Sequence, residues 1–153
     1  MLFDAFLPCM LRNGVAFECH PQNCIARFDL ATKELLGFII RDMEGIRFHR
    51  ETLKSSTGVD LDVHPDHLLG NLDDIYARMY HCMVHNHLQQ LIRVLGLHYD
   101  GSGWKVLRQH LEDVIPREHA LYAAWLSSEA LPAKCFMTRK MAGTYRFVSE
   151  PNC

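Results

Sequence analysis

The sequence predicts an α+β fold, with an N-terminal helix, a small antiparallel β-meander and then a mainly helical half. Three observations predict it. The first residues carry apolar side chains at helical spacing, and the stretch after them alternates short apolar runs with turn residues. Beyond about residue 70 the helical spacing returns and continues for most of the remaining chain. Because no repeat and no linker divides the sequence, we expect residues 1–153 to form a single domain.

The first half is predicted to contain one helix and four short strands. Residues 2–12 (LFDAFLPCMLR) have helical apolar spacing, and Asn13 and Gly14 supply a stop signal. The third predicted strand, LLGFIIRDM, is almost continuously apolar before its charges, which is typical of a buried central strand. The four strands are expected at residues 15–18, 24–30, 35–43 and 45–49.

The second half is predicted to be helical after a polar connection. Residues 53–69 are mixed in character, so we expect a loop there with at most one short helical turn. Gly96 is the predicted stop of the first helix that follows, and Pro116 ends the second. Helices are expected at residues 71–97, 103–115 and 117–130, followed by an extended segment at 131–141 (LPAKCFMTRKM).

Composition and charge argue against two classes of partner. The formal net charge of −2 gives no electrostatic attraction to nucleic acid or to an anionic membrane surface. No apolar run approaches the roughly 20 residues that a membrane-spanning helix needs, and the apolar start lacks the basic leader of a signal peptide. The 6 cysteines are scattered without a CxxC pair, which favours reduced thiols over a disulfide framework. We therefore expect a cytoplasmic protein, and an oligomer is compatible with the sequence.

The stretch FECHPQNCIARF, residues 17–28, crowds polar side chains into the connection between two predicted strands. A tight hairpin there would normally use Gly or Asn-Gly. This connection instead offers groups that bind cations and polar ligands, namely Glu18, His20, Gln22 and Asn23. The alternative is an ordinary turn in which the Asn and Gln side chains satisfy local backbone groups. On this stretch alone, the sequence does not decide between the two interpretations.

A second polar cluster follows the third predicted strand, where IIRDMEG places Arg41, Asp42 and Glu44. If the second and third strands form a hairpin, the two carboxylates approach His20 and Asn23. Such a group suits a magnesium-nucleotide site, because Mg²⁺ prefers oxygen ligands and keeps several of its waters. Arg41 could neutralise a phosphate or a carboxylate. Alternatively, Arg41 and Asp42 form a surface ion pair that contributes little.

Together these stretches resemble the C-terminal region of the NRPS-independent siderophore synthetases, the aerobactin-synthetase-type (IucA/IucC) family. That family has a hallmark of the form G-x-x-x-E-x-H-x-Q-N, followed by an apolar strand that ends R-D-x-x-G. The matching residues here are Gly14, Glu18, His20, Gln22, Asn23, Arg41, Asp42 and Gly45. The segment LPAKCFMTRKM resembles the closing segment of the family and carries Lys134 and Arg139. The resemblance covers nearly the whole chain.

The resemblance implies an ATP-dependent ligase of siderophore biosynthesis. Such enzymes adenylate a carboxylate of citrate or a related acid and then transfer it to an amine or a hydroxyl nucleophile. ATP and Mg²⁺ are the implied cofactors, with a polycarboxylate and an amine or alcohol as substrates. The implied roles are catalysis for His20 and Arg41, nucleotide binding for Glu18, Gln22, Asn23 and Asp42, magnesium binding for Glu18 and Asp42, and binding of the acid for Lys134 and Arg139.

Full synthetases of this family are much longer and have an upstream segment that grips the triphosphate. The present sequence shows no counterpart of that segment, so we expect a ligase that is incomplete on its own. Two alternatives stay open: a non-catalytic remnant or accessory module that pairs with a separate N-terminal half, and a protein similar to a ferric-siderophore reductase. The reductase hallmark is a terminal cysteine cluster, and here only Cys153 lies at the end.

Several other histidines and cysteines resemble metal or redox residues. His81 and His85 share one helical face, a spacing that can chelate zinc, but no third ligand accompanies them. We expect this pair to be hydrogen-bonded or partly exposed, without zinc. Cys19 and Cys24 flank the first polar cluster, and we expect them to take no part in the chemistry because no CxxC pair or activating base adjoins them.

Overall fold

The computed structural model describes residues 1–128, and the predicted α+β class is confirmed. The first half consists of α1 (Leu2–Asn13), β1 (Val15–Ala16), β2 (Cys24–Phe28), β3 (Leu35–Ile40), a 3₁₀ turn (Met43–Gly45) and β4 (Arg47–Phe48). The second half consists of α2 (Arg50–Thr57), a 3₁₀ turn (Pro65–His67), α3 (Leu72–Tyr80), a π-helical segment (His81–Leu88), α4 (Gln89–Val94), α5 (Ser102–Val114), α6 (Ala120–Tyr122) and a second π-helical segment (Ala123–Ser127). The predicted extended segment 131–141 lies outside the described residues.

The strands form two antiparallel pairs rather than one continuous meander. β2 and β3 make the predicted hairpin, with Cys24 opposite Ile40. β1 pairs instead with β4, with Val15 opposite Phe48. The first polar stretch connects β1 to β2, and the second connects β3 to β4. Because both stretches run from one strand pair to the other, the topology places them side by side.

Strand β3 is not the buried central strand that its apolar run predicted. Among the described strands it pairs only with β2, and the side chains of Leu36 and Ile39 are 55% and 46% exposed. The inner face carries Phe38, whose ring centroid lies 6.0 Å from that of Phe6 in α1. An apolar run does not reveal whether other elements cover both faces of a strand. The hydropathy of β3 therefore predicted more burial than the structure shows.

Helix α1 ends at the predicted stop. Gly14 has a left-handed conformation with φ of 64°, and its N–H donates a hydrogen bond to the carbonyl of Met10 at 3.0 Å. The next residue starts β1, so this single turn converts helix into strand. A methyl group on Gly14 would lie 3.0 Å from Cβ of Thr52 and 3.1 Å from Cβ of His49. Both the backbone conformation and the packing of α2 against this turn therefore require glycine.

Helix α2 replaces part of the loop expected at residues 53–69. It has no buried residue, so it lacks the apolar stripe by which a helix is recognised in a sequence. Local contacts support it instead: Nδ1 of His49 lies 2.8 Å from Oγ1 of Thr52, and Gly58 ends the helix with φ of 74°. The prediction of a loop was wrong over residues 53–57 because this helix depends on end contacts and on packing against α1.

The long helix predicted at residues 71–97 is confirmed as one helical stretch built from α3, the π-helical segment and α4. Asn71 caps its start, since the side-chain oxygen accepts a hydrogen bond from the N–H of Asp74 at 2.8 Å. The π-helical turns widen the middle of the stretch, a feature that is frequent at functional sites and that apolar spacing does not reveal. Gly96, with φ of 71°, follows the end of α4 as predicted.

The two later helices follow the prediction with one difference in length. α5 agrees with the predicted helix at residues 103–115, and Pro116 follows it. α6 begins only at Ala120, because the residues after the proline form a turn in which Nδ1 of His119 accepts a hydrogen bond from the N–H of Leu121 at 3.1 Å. Sequence spacing could not place this start, since a histidine is an uncommon helix cap.

The hydrophobic core lies between α1, the long central helical stretch, α5 and the last described helix. Nε1 of Trp125 donates a hydrogen bond to the carbonyl of Tyr76 at 3.2 Å and ties that last helix to α3. Large side chains that are fully buried in this core include Leu7, Met10, Ile75, Met79, Met83, Leu111, Ile115 and Leu121. Within residues 1–128, no helix combines the length and the hydropathy that crossing a membrane requires.

Replacing Gly14 with alanine is expected to lower the free energy of unfolding by roughly 2–4 kcal/mol, through a strained left-handed residue and a methyl group that meets Thr52. Gly58→Ala is the matched control, because Gly58 has a similar φ of 74° but no atom within 4 Å of the added methyl group. The control should lose only the backbone cost of about 1 kcal/mol. Urea denaturation measures both, and equal losses would contradict the importance of packing against α2.

Candidate functional site

The hairpin brings the two polar stretches of the sequence together. The backbone N–H of Arg41 donates a hydrogen bond to the carbonyl of Asn23 at 3.0 Å. The side-chain Nε of Arg41 donates a second one, at 2.8 Å, to the carbonyl of Gln22. The predicted return of β3 to the start of β2 is therefore confirmed at the level of the backbone, and it places Asp42 directly beyond this junction.

The connection between β1 and β2 consists of successive tight turns. Strand β1 ends at Ala16, so Glu18 does not end a strand as predicted but lies in the connection. The N–H of Cys19 donates to the carbonyl of Phe17 at 3.0 Å, and that of His20 donates to the carbonyl of Glu18 at 2.9 Å. These successive turns leave the side chains of Glu18 and His20 close to each other.

Three side chains of the first polar cluster form a small network. Nε2 of His20 lies 3.8 Å from Oε2 of Glu18 and 3.3 Å from Nδ2 of Asn23. Nδ2 of Asn23 is within hydrogen-bond distance of this ring nitrogen, and the direction of the bond depends on the tautomer of the histidine. Asn23 is 3% exposed, and among residues 1–128 no other polar or charged residue is as deeply buried. The network therefore links His20 to a carboxylate on one side and to a buried amide on the other.

Glu18 makes an ion pair with a residue that the sequence analysis did not select. Oε1 of Glu18 accepts a hydrogen bond from Nη2 of Arg78, which belongs to α3. The two side chains are 22% and 27% exposed, so the pair is sheltered from solvent on most sides. In the sequence, Arg78 has the spacing of an ordinary helix arginine, and no signal in α3 distinguishes it. Only the packing of α3 against the connection reveals its partner.

Gly45 is required by the position of Glu18. The 3₁₀ turn Met43–Gly45 lies against the Glu18 side chain, and a methyl group on Gly45 would lie 2.6 Å from both Cδ and Cγ of Glu18. No real contact of this kind is that short, so an alanine here would displace the carboxylate. The glycine of the R-D-x-x-G pattern thus has a steric reason in this fold.

A second arginine lies near the ion pair. Nη1 of Arg47 donates hydrogen bonds to the carbonyls of Glu44 at 2.7 Å and Ile46 at 2.9 Å. Burial lowers the pKa of the Arg47 guanidinium below its ordinary value, and the positive charge of Arg78 lowers this pKa further. Glu18 opposes both effects, so its carboxylate offsets positive charge from two arginines.

The charged residues after β3 remain exposed. Within residues 1–128, no hydrogen bond or ion pair joins the carboxylates of Asp42 or Glu44 to His20 or Asn23, although a backbone hydrogen bond brings the two stretches together. The alternative of an Arg41–Asp42 ion pair is also not observed there, since Arg41 contacts Gln22. Asp42 has a left-handed backbone with φ of 63°, an uncommon conformation for a residue other than glycine. The N–H of Gly45 donates a hydrogen bond to the carbonyl of Asp42 at 3.4 Å, which closes the turn.

The cysteines beside the cluster lie in the core. Cys19 and Cys24 are 0% and 6% exposed. Burial raises the pKa of the Cys19 thiol well above its ordinary range, and burial also raises the pKa of Cys24. The carbonyl of Cys19 accepts a hydrogen bond from Nδ1 of His87 at 2.8 Å, which fixes the connection to the π-helical segment. These environments fit the expectation that neither thiol takes part in chemistry.

The rings of the predicted histidine pair in the central helix meet edge to face. The ring centroids of His81 and His85 lie 5.8 Å apart, and the ring of His85 also meets that of Tyr80 at 4.9 Å. Across the part of the chain that the structure describes, no group of three or more His, Cys, Asp or Glu side chains is arranged to hold a metal ion. The predicted residues Lys134 and Arg139 lie outside the described residues.

Gly45→Ala is expected to lower the free energy of unfolding by roughly 1–3 kcal/mol, because the added methyl group overpacks against Glu18. Gly70→Ala serves as the matched control, since no atom lies within 4 Å of a methyl group at that position. Its stability should change by less than about 1 kcal/mol. Chemical denaturation compares the two variants, and a neutral Gly45→Ala would show that the turn yields without cost.

Alkylation with iodoacetamide at neutral pH is expected to modify Cys19 and Cys24 far more slowly than the half-buried Cys9, because burial keeps both thiols protonated. Peptide mapping by mass spectrometry separates the sites. In denaturing urea, which removes the burial, the three thiols should react at similar rates. Rapid native labelling of Cys19 would contradict its place in the core.

The family comparisons agree with the motifs that meet at this site. The family model described as ferric iron reductase FhuF-like transporter matches residues 1–147. The NRPS-independent siderophore synthetase rfs of Rhizopus delemar is 45% identical over 144 residues, which cover 93% of this chain and 23% of that protein. The NRPS-independent siderophore synthetase-like protein ankE of Aspergillus thermomutatus is 34% identical over 143 residues, covering 90% of this chain and 23% of that protein.

A bacterial relative is more distant. The D-ornithine–citrate ligase of Staphylococcus aureus is 26% identical over 121 residues, covering 74% of this chain and 18% of that protein. The chain thus spans less than a quarter of the length of each of these relatives. It belongs to the FhuF-like family, in the form found as the C-terminal region of NRPS-independent siderophore synthetases.

Proposed function

We propose that this chain supplies the C-terminal part of the active site of an ATP-dependent ligase in siderophore biosynthesis. The observation that carries the proposal is the junction of the two polar stretches, where the backbone of Arg41 is hydrogen-bonded to that of Asn23. The relatives support it, because two are named as siderophore synthetases or synthetase-like proteins and a third as a citrate ligase. The proposed reaction adenylates a citrate-like carboxylate and condenses it with an amine or an alcohol.

In the proposed reaction, His20 contacts the acid or the nucleotide at the reacting centre. The contacts of Nε2 with Asn23 and Glu18 orient the imidazole ring, which suits a residue that holds a reacting group in place. Arg41 uses Nε for the carbonyl of Gln22, so its terminal nitrogens remain for a phosphate or a carboxylate. Both residues are proposed as catalytic groups.

The nucleotide and its metal are proposed to bind beside these residues. Mg²⁺ would offset the negative charge of the phosphates during adenylation. One or two carboxylates are sufficient for Mg²⁺, because waters and phosphate oxygens supply its other ligands. Asp42 is exposed directly after the junction, and Glu18 keeps one oxygen that Arg78 does not use, so both fit this role. Gln22 and Asn23 are proposed to orient the polar groups of the nucleotide.

The acid substrate and the remaining part of the site are proposals that rest on the resemblance. Lys134 and Arg139 are proposed to bind the carboxylates of the acid. Because the chain spans 23% of the two fungal relatives, we propose that residues outside the present sequence complete the site, as a separate N-terminal half or as part of a longer polypeptide. A cytoplasmic location, an oligomeric assembly and the absence of nucleic-acid and membrane partners belong to the same proposal.

Two other functions are weighed against this one. A non-catalytic accessory module would bind a nucleotide or a polycarboxylate without turnover. A ferric-siderophore reductase is suggested by the name of the matching family, ferric iron reductase FhuF-like transporter. A reductase with an iron–sulfur centre would show visible absorbance from that centre, whereas the proposed ligase would not.

Mg-ATP is expected to raise the melting temperature of the chain. At ten times its dissociation constant, it would stabilise the fold by about 1.4 kcal/mol and shift the melting temperature by about 3–6 °C. Asp42→Asn should abolish the shift, because asparagine tolerates the left-handed backbone but removes the charge that the metal needs. Asp62→Asn, on another exposed segment, is the matched control and should keep the shift. No shift with the unmodified chain at millimolar Mg-ATP would refute nucleotide binding by this domain.

A further inference from the structure

We propose that Arg78 is a positioning residue of this site, which holds Glu18 so that the second carboxylate oxygen faces His20 and the bound ligand. Arg78 belongs to neither sequence motif and lies in the helical half of the chain. The proposal deepens the proposed function and relies on it for the identity of the ligand. It also makes a claim about the geometry of Glu18 that can be tested without any ligand.

The Glu18 carboxylate is held by a different group at each oxygen. Oε1 accepts the hydrogen bond from Nη2 of Arg78, whereas Oε2 lies 3.8 Å from Nε2 of His20. Gly45 closes a further side, with no room for a methyl group. Free rotation of the carboxylate would require the ion pair with Arg78 to break. The hydrogen bond to Arg78 therefore determines the orientation of the carboxylate relative to His20.

The backbone of Arg78 is fixed by the core. Its helical neighbours Ile75 and Met79 are both fully buried, so α3 cannot shift without disturbing the core. The connection that carries Glu18 has no comparable support from regular secondary structure, since it lies between β1 and β2. Helix α3, which is fixed by the core, thus positions the irregular connection between β1 and β2. Such support is expected where a functional site on a connection needs a defined geometry.

A second positive charge lies close to the ion pair, so Arg78 depends on Glu18 as its counter-charge. Nε of Arg78 is buried and has no acceptor within the described part of the chain, so its interaction with Glu18 is made through the terminal nitrogen. The guanidinium of Arg47 lies close enough for the two positive charges to repel. Glu18 offsets this positive charge, with a smaller contribution from Asp66. Loss of either partner therefore leaves a sheltered charge without its counter-charge.

The test compares four variants with the unmodified chain: Arg78→Gln, Arg78→Lys, Glu18→Gln and the double variant Glu18→Gln/Arg78→Gln. Arg93→Gln is the matched control, because it makes the same substitution at an exposed position of α4. Isothermal titration calorimetry measures the dissociation constant of Mg-ATP at a temperature where every variant is folded. Restriction to folded protein separates ligand affinity from stability.

Arg78→Gln is expected to weaken Mg-ATP binding at least about tenfold, as removal of a residue that orients a ligand group commonly does. Arg78→Lys should restore most of the affinity, and Arg93→Gln should leave it within about twofold. The double variant should bind no more weakly than Glu18→Gln alone, because Arg78 acts through Glu18. Losses that multiply in the double variant, or unchanged affinity in Arg78→Gln, would overturn the proposal.

Hydrogen exchange decides the proposal if the unmodified chain does not bind Mg-ATP, an outcome that would refute only the nucleotide function. The amides of Asn23 and Cys24 both donate to the carbonyl of His20, so they report on the connection that carries Glu18. Arg78→Gln should accelerate their exchange at least about tenfold while leaving the amide of Lys33, at the far end of the hairpin, unchanged. Unchanged exchange at Asn23 and Cys24, or equal acceleration at Lys33, would count against positioning.

Discussion

The ion pair between Glu18 and Arg78 joins the stranded half of the chain to its helical half. Its two residues are 60 positions apart in the sequence and meet only because α3 packs against the connection that follows β1. The pair is mostly sheltered from solvent, so salt screens it less than a surface pair. The position of Gly45, the contact with His20 and the charge balance of Arg47 all follow from it.

The same constraint explains how a site can be built on irregular backbone. The two polar stretches cross from the β1–β4 pair to the β2–β3 hairpin, and neither has a ladder of its own. Their carbonyl and N–H groups are satisfied by close turns, by Arg41 and by His87 from the central helix. Asn23 is buried within this arrangement, whereas Asp42 is exposed to solvent. The hydrophobic core holds the elements of the site in place, but its apolar side chains are not among the proposed catalytic or binding residues.

The elements with clear periodicity or stop signals were predictable. The apolar spacing and Gly14 located α1, and the apolar spacing and Gly96 located the central helix, because these signals act within a few residues. The errors have a common origin in contacts between distant segments. α2 has no apolar stripe, and its stability depends on α1, whereas β3 is apolar but packs on one face only. Neither the dependence of α2 on α1 nor the one-sided packing of β3 can be predicted from the hydropathy of the sequence.

The sequence by itself determined the α+β class, the hairpin and the pairing of the two motifs, since chain direction alone returns β3 to the start of β2. It also identified Glu18, His20, Asn23 and Arg41 as neighbours. Tertiary structure alone decided that Arg78 meets Glu18 and that, within residues 1–128, no hydrogen bond or ion pair joins Asp42 or Glu44 to His20. The reason is physical: backbone pairing follows from local pattern and register, but the partner of a charged side chain depends on which distant helix packs beside it.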